Sequence, residues 1–179
     1  MLYLSLIFAV GCGKKPVKMD KATEAVVQND MPKWVMEPPR NKNEICAVGS
    51  YAMKGNISMA QQGSESRARD ALSRQLEVQT KSMIKDFIQE GETGGESFTE
   101  EEITSVSKQV TALTLNGTVP KQREMMDGAM YTLICLDTES FANAFSDMNT
   151  MSDKMRQGLR QRAQAGFDEL DEEVDSLGE

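Results

Sequence analysis

Apolar residues recur along this chain with two different periods, and the switches between them divide it into elements. Glu44-Ile45-Cys46-Ala47-Val48-Gly49-Ser50-Tyr51 is a short apolar run between Asn-rich and Gly-rich stretches, the pattern of a mostly buried strand. Ala68, Ala71, Leu72, Leu76, Met83, Ile84, Phe87 and Ile88 then recur at steps of three and four. Arg67, Asp70, Arg74, Glu77, Lys81 and Lys85 stand opposite them, which predicts an amphipathic helix from about Ser58 to Gln89, packed on one side. Gly91 and Gly94-Gly95 end that helix and open a loop. Thr99 and Glu102 have capping-box spacing and predict a short helical turn reaching about Ser107.

From Val110 the pattern changes to near alternation. Thr111, Leu113, Leu115 and Val119 fall on one side, and Ala112, Thr114, Asn116 and Thr118 on the other. Asp127-Gly128 separates this long predicted strand from a third over Ala129 to Leu136, and an Asp-Gly pair between two strand patterns is a strong hairpin signal. Pro120 cannot donate to a ladder, so the long strand is expected to lie at a sheet edge or to be bulged there. Asp137 or Thr138 caps a final long helix. Its stripe runs Phe141, Ala144, Phe145, Met148, Met151, Met155, Leu159, Ala163, Phe167, Leu170, Val174, Leu177, and Gly158 and Gly166 are the places where a kink is expected. The order is strand, helix, strand, strand, helix. It predicts an α+β fold: a small, three-stranded, mostly antiparallel sheet packed on a long helix, with a long C-terminal amphipathic helix.

The chain opens differently. Leu2 to Val10 is an uncharged run of nine residues that ends in Gly11-Cys12 and turns polar at Gly13-Lys14-Lys15-Pro16, well short of the ~20 residues a bilayer span needs. It resembles the lipobox of bacterial lipoproteins, which implies cleavage between Gly11 and Cys12 and lipid on Cys12. No Lys or Arg precedes the apolar run, as leaders usually have, so either the leader is minimal or the start lies upstream. Each buried acyl methylene adds ~0.8 kcal/mol, so several chains hold a protein on a membrane where one would not. Gly13 in place of Asp after the cysteine implies export to the outer membrane. Residues 1–11 are thus a signal peptide and 12–33 a polar tether, with an α+β domain over 34–137 and a C-terminal helix with an acidic end over 138–179.

Composition narrows the chemistry. The formal charge is −8, and no basic stripe with interleaved aromatics is present, which excludes a nucleic-acid partner. There is no histidine, so the commonest general base and the commonest metal ligand are both missing. No Gly-x-Ser-x-Gly elbow, calcium loop or phosphate-binding glycine loop occurs. No catalytic residue, cofactor, metal or small-molecule substrate is expected.

Of the three cysteines, Cys12 is assigned to lipid, which leaves Cys46 and Cys135 as an even pair in an oxidising compartment. They fall in the first and third predicted strands. A right-handed crossover followed by a hairpin can bring those strands side by side, so a disulfide and two buried free thiols are both open readings. Met148, Met151 and Met155 form a thioether row of the kind that can hold Cu(I), but without His or Cys beside them packing is the expectation. Lys154, Arg156, Arg160 and Arg162 precede Asp168, Glu169, Asp171, Glu172, Glu173 and Asp175. This reads either as a solvated, partly disordered end or, more sharply, as an acidic end that docks on the basic segment of a neighbouring copy, with the Met/Phe/Leu stripe buried between helices.

Trp34 and the prolines after it, Ala47-Val48-Gly49, Ser66-Arg67-Ala68-Arg69-Asp70-Ala71-Leu72, Leu115-Asn116-Gly117 and Met130-Tyr131-Thr132-Leu133 together resemble the lipoprotein-20 family. That family comprises bacterial outer-membrane and surface lipoproteins, among them flagellar basal-disk lipoproteins, and the resemblance spans roughly Trp34 to Phe145. It implies a compact α+β domain, often assembled with copies of itself, and supplies no catalytic residue. The expected function is a non-catalytic outer-membrane lipoprotein with a structural or assembly role, held on the membrane by its anchor and joined to copies of itself or to an envelope complex. The alternative is a monomeric periplasmic module that regulates another envelope protein, such as a cell-wall synthase.

Overall fold

The structure, a computed structural model, describes residues 31–41, 43–91 and 97–177, the side chains of 40, 41 and 166–177 excepted. The chain divides into two units, Met1–Met31 and Pro32–Glu179. The leader, the Gly11/Cys12 cleavage position, the tether up to Asp30, Gly94-Gly95 and the side chains of the acidic end lie outside the described residues. In the second unit the order is α1 (Lys33–Met36), β1 (Arg40–Asn41), β2 (Glu44–Ala52), α2 (Ile57–Gln89), α3 (Glu100–Leu115), β3 (Val119–Met126), β4 (Ala129–Asp137), α4 (Thr138–Ser146) and α5 (Asp153–Leu177). This is the α+β class read from the sequence.

Three full strands form an antiparallel sheet in the order β2-β4-β3, and the two-residue β1 extends the free edge of β2 at Glu44 and Ile45. β4 is central because nearly all of it is apolar: Met130, Thr132 and Leu133 to Leu136 are all buried. Asp127 (φ 49°) and Gly128 (φ 73°) make the hairpin turn, the pair of positive φ values that a two-residue turn between twisted strands requires. Pro120 sits on the edge strand, and the β3–β4 register shifts between Pro120 and Gln122. Both expectations for the proline therefore hold, since an edge position and a bulge each tolerate a missing donor.

One face of the sheet carries Ala47, Gly49, Thr132, Ile134 and Leu136 against α2. The buried stripe of α2 is graded by size, with Ala60, Ser64 and Ala68 first and Leu72, Leu76, Ile84 and Phe87 after. The small half lies on the sheet. Ser64 and Thr132 share a buried hydroxyl hydrogen bond of 2.7 Å across this contact. Gly49 meets the backbone of α2 directly: a Cβ there would stand 2.8 Å from the carbonyl carbon of Arg67 and closer still to Ser64 O and Ala68 N. The large half packs into the helical layer, whose buried cluster joins α2 to Ile103, Val106 and Val110 of α3 and to Phe141, Phe145, Met148, Met151, Met155, Leu159 and Ala163. Asn56 caps α2 by accepting from Met59 N at 3.0 Å, and Gly91 (φ 73°) follows its C-terminus.

Two sequence expectations are corrected. The capping box of Thr99 and Glu102 is present, but the helix it starts runs to Leu115 rather than about Ser107. The strand predicted from Val110 accordingly begins only at Val119. Ile103, Val106, Ser107, Val110, Thr111 and Thr114 are buried at helical spacing, so helical burial overrides the apparent alternation, and Thr114 returns its hydroxyl to Val110 O at 2.5 Å.

The final helix is not one element but two. The break falls at Asp147–Ser152, not at Gly158 or Gly166, and α5 runs through both glycines. Asp147 closes α4, and the Ser152 hydroxyl accepts from Met155 N at 3.4 Å as α5 begins. Gly158 instead admits the Phe87 ring, which a Cβ would overlap. Gly158→Ala is expected to cost about 1–2 kcal/mol, less the helix propensity that alanine returns. A urea midpoint equal to or above that of the parent would show that the ring moves away freely.

Asp137, at the end of β4, is the N-cap of α4. Its carboxylate accepts from Glu139 N (2.9 Å), Ser140 N (3.1 Å) and the Ser140 hydroxyl (2.6 Å). Burial pushes this carboxyl up, but the hydrogen bonds from Ser140 and Glu139 outweigh it and hold the group below its ordinary value. A depressed folded-state value means that the cap stabilises at and above the ordinary carboxylate range and is lost as pH falls through the folded value. Asp137→Ala should cost about 1 kcal/mol at pH 7, and the gap between parent and variant should narrow in acid. A gap unchanged down to pH 2 would show the charge to be irrelevant.

Candidate functional site

The opposite face of the sheet holds the residues whose chemistry goes beyond packing. Along β2 the alternation that turns Ala47 and Gly49 toward α2 turns Glu44, Cys46 and Val48 outward. Antiparallel pairing sets Cys46 opposite Cys135 and Val48 opposite Leu133. Cys46 and Cys135 form a disulfide between the two central strands, with their Cα atoms 4.1 Å apart, a separation close to that of directly opposed residues in an antiparallel pair without mutual hydrogen bonds. The disulfide and Leu133 make a small buried cluster of their own, separate from the main core, with Trp34 and Val48 packed against it. The lone tryptophan and the turn of helix that carries it thus cover this face.

Around that cluster the face is polar or open. Lys121, the extra residue at the β3 bulge, reaches across β4 to Glu44 at 2.5 Å. Val119, opposite Cys135 on the other side, is 52 % exposed. Among the described residues, Glu44, Cys46 and Cys135 are the one group of His, Cys, Asp or Glu side chains whose ligand atoms converge, all within 4.8 Å of one another.

A second polar cluster joins α2 to the edge strand. Glu65 accepts from Arg69 (3.0 Å) and from Arg123 of β3 (2.6 Å), and Arg69 also donates to Thr118. The Arg69 hydrogen bond, helped by Arg123 and opposed by burial, holds the Glu65 carboxyl below its usual value. Glu65 fixes the edge strand to the helix. A shallow pocket on the helical side is lined by Phe87, Lys154, Gln157, Gly158 and Gln161.

The other residues singled out from the sequence fall as follows. Gly11 and Cys12 lie outside the described residues. Met148, Met151 and Met155 are in the core, their thioethers used for packing. The stripe from Phe141 to Ala163 is likewise buried, packed between helices of this chain. Arg156 donates to Met148 O (3.1 Å) and to Asp153, and Arg162 pairs with Glu90 and stacks over Phe87. Two of the four basic residues expected to receive a neighbour's acidic end are therefore already engaged at home. Sequence reasoning missed Glu44 as a site residue, although its i, i+2 spacing from Cys46 in an alternating strand signals a shared face.

The chain matches no protein-family model and no curated protein sequence. Among the described residues no helix is long and apolar enough to cross a membrane.

Proposed function

We propose that this chain is a bacterial outer-membrane lipoprotein without catalytic activity, whose α+β domain serves a structural or assembly role in the cell envelope; a flagellar accessory disk is its most specific form. The observation that carries the reading is the run Leu2–Val10, its abrupt end at Gly11-Cys12 and the polar Lys-rich segment that follows. Acyl chains on Cys12 supply the attachment. The resemblance to lipoprotein-20 proteins supports the role.

The anchor is tested by growing cells with radiolabelled palmitate. The parent chain should take up label and partition into detergent, while Cys12→Ser should do neither. Label on both chains, or on neither, would defeat the reading. Light scattering of the detergent-solubilised protein then tests assembly: a multimer is expected, and a monomer would favour the regulatory module instead.

A further inference from the structure

We propose that the outer face of the sheet is a redox-gated site for a divalent cation of the zinc type, with Cys46, Cys135 and Glu44 as its protein ligands. The inference rests on the sheet register alone and does not depend on the lipid anchor.

The register places two sulfurs and one carboxylate within 4.8 Å on one face. Glu44 and Cys46 are two residues apart on β2, and Cys135 is directly opposite Cys46 on β4. Two thiolates and a carboxylate form a donor set that zinc takes, with water at the fourth tetrahedral position. The carboxylate separates this set from the purely soft ligation that Cu(I) prefers. Zn–S bonds of about 2.3 Å put two sulfurs about 3.8 Å apart in a tetrahedron. Disulfide-linked residues hold their Cβ atoms about 3.5–4.5 Å apart, so once the bond is opened, rotation about the two Cα–Cβ bonds brings the sulfurs to that spacing with the strands in place. Trp34, Val48 and Leu133 give the sulfurs an apolar surround. Glu44, about a third exposed on its side chain, leaves a route in from solvent at one end.

The disulfide is the closed state. A dithiol reductant opens it by thiol–disulfide exchange: two electrons and two protons pass to Cys46 and Cys135, and the reductant leaves as its cyclic disulfide. Binding of the cation then displaces the two thiol protons into solvent. The Glu44 carboxylate turns from the Lys121 ammonium to the metal. Exchange with an oxidising disulfide, which takes up the two electrons and two protons and leaves as its dithiol, re-forms the Cys46–Cys135 bond and expels the cation, because the same two sulfurs cannot serve both bonds.

The test uses the full chain carrying Cys12→Ser, which leaves two of the three sulfhydryl positions. The protein is reduced under argon with a phosphine, which becomes the phosphine oxide with oxygen taken from water, and is titrated with Co²⁺ as a coloured substitute for zinc. Saturation at one Co²⁺ per chain with a near-ultraviolet sulfur-to-cobalt band is expected, together with loss of the band on adding Zn²⁺ and no band in the oxidised protein. Zn²⁺ should raise the melting temperature of the reduced form and leave the oxidised form unchanged. Glu44→Gln should keep the band but weaken binding at least about tenfold, the loss that even an outer-shell change brings. A reduced chain that binds no cobalt, or one whose strand signal in far-ultraviolet dichroism is lost and does not return with Zn²⁺, would overturn the site. Equal affinity in Glu44→Gln would overturn the three-ligand set.

Discussion

Gly49→Ala is expected to lower the unfolding free energy by at least about 3 kcal/mol, the upper end of the usual cost of overpacking. The reason is the identity of the neighbours. The added methyl would overlap Ser64 O and Ala68 N and stand 2.8 Å from Arg67 C, all backbone atoms of α2. A flexible side chain can turn aside, but a helix backbone moves only as a whole. To accept the methyl, α2 would have to lift off β2, parting Ser64 from Thr132 and loosening the contacts of Ala60 and Ala68. Gly158 is the internal control, since its obstacle is the Phe87 ring. Urea titrations of the Cys12→Ser chain followed by circular dichroism would measure both, with equal slopes required for a simple comparison. A loss under about 1 kcal/mol at Gly49 would show that helix and sheet separate readily enough to admit a methyl.

The second large effect concerns the disulfide. Cys46 and Cys135 are separated by 89 positions, and closing a loop of that size removes enough freedom from the unfolded chain to be worth about 4–5 kcal/mol on the chain-entropy account. Native-state contacts act in the same direction, because the disulfide is the centre of the cluster beneath Trp34. The Cys46→Ala/Cys135→Ala double variant should therefore unfold at clearly lower urea than the oxidised parent. A metal-free reduced parent should behave like the variant, and the emission of the single tryptophan should report local loosening. Coincident unfolding curves for oxidised and reduced protein would show that the covalent link contributes nothing beyond the strand pairing already present.

Both effects arise where the sequence was only partly legible. β2, α2, the Asp127-Gly128 turn and the status of Pro120 could be read because each rests on a local signal: a bounded apolar run, a long helical period, a dipeptide with special φ, a missing donor. The segment Val110–Leu115 misled because six residues rich in Thr and Leu satisfy a period of two almost as well as one of 3.6. Extending the window back to Ile103 and Val106 would have favoured the helix. The break at Asp147–Ser152 was hidden for a related reason. Met148 N bonds to Phe145 O, and Met151 N to Met148 O, so the turns keep the methionines facing inward at the spacing a continuous helix would give. At the site, the sequence indicated that Cys46 and Cys135 occupy strands that can be neighbours. The register that sets them opposite one another, and adds Glu44, depends on long-range pairing that no local pattern encodes.

The central place of β4 has a further consequence for how the molecule comes into being. β2 is made early, but its long partner arrives only after α2, α3 and β3 have been synthesised, so for most of translation its row of amides has no sheet to join. The β3–β4 hairpin closes over two residues and pairs locally, whereas docking β2 requires a crossover of more than seventy residues and is the slow, entropically costly event. The β3–β4 hairpin is therefore expected to form before β2 docks on it. Any fragment that stops short of Ala129 is left with an unmatched apolar strand and a helix whose small-residue face has nothing to lie on.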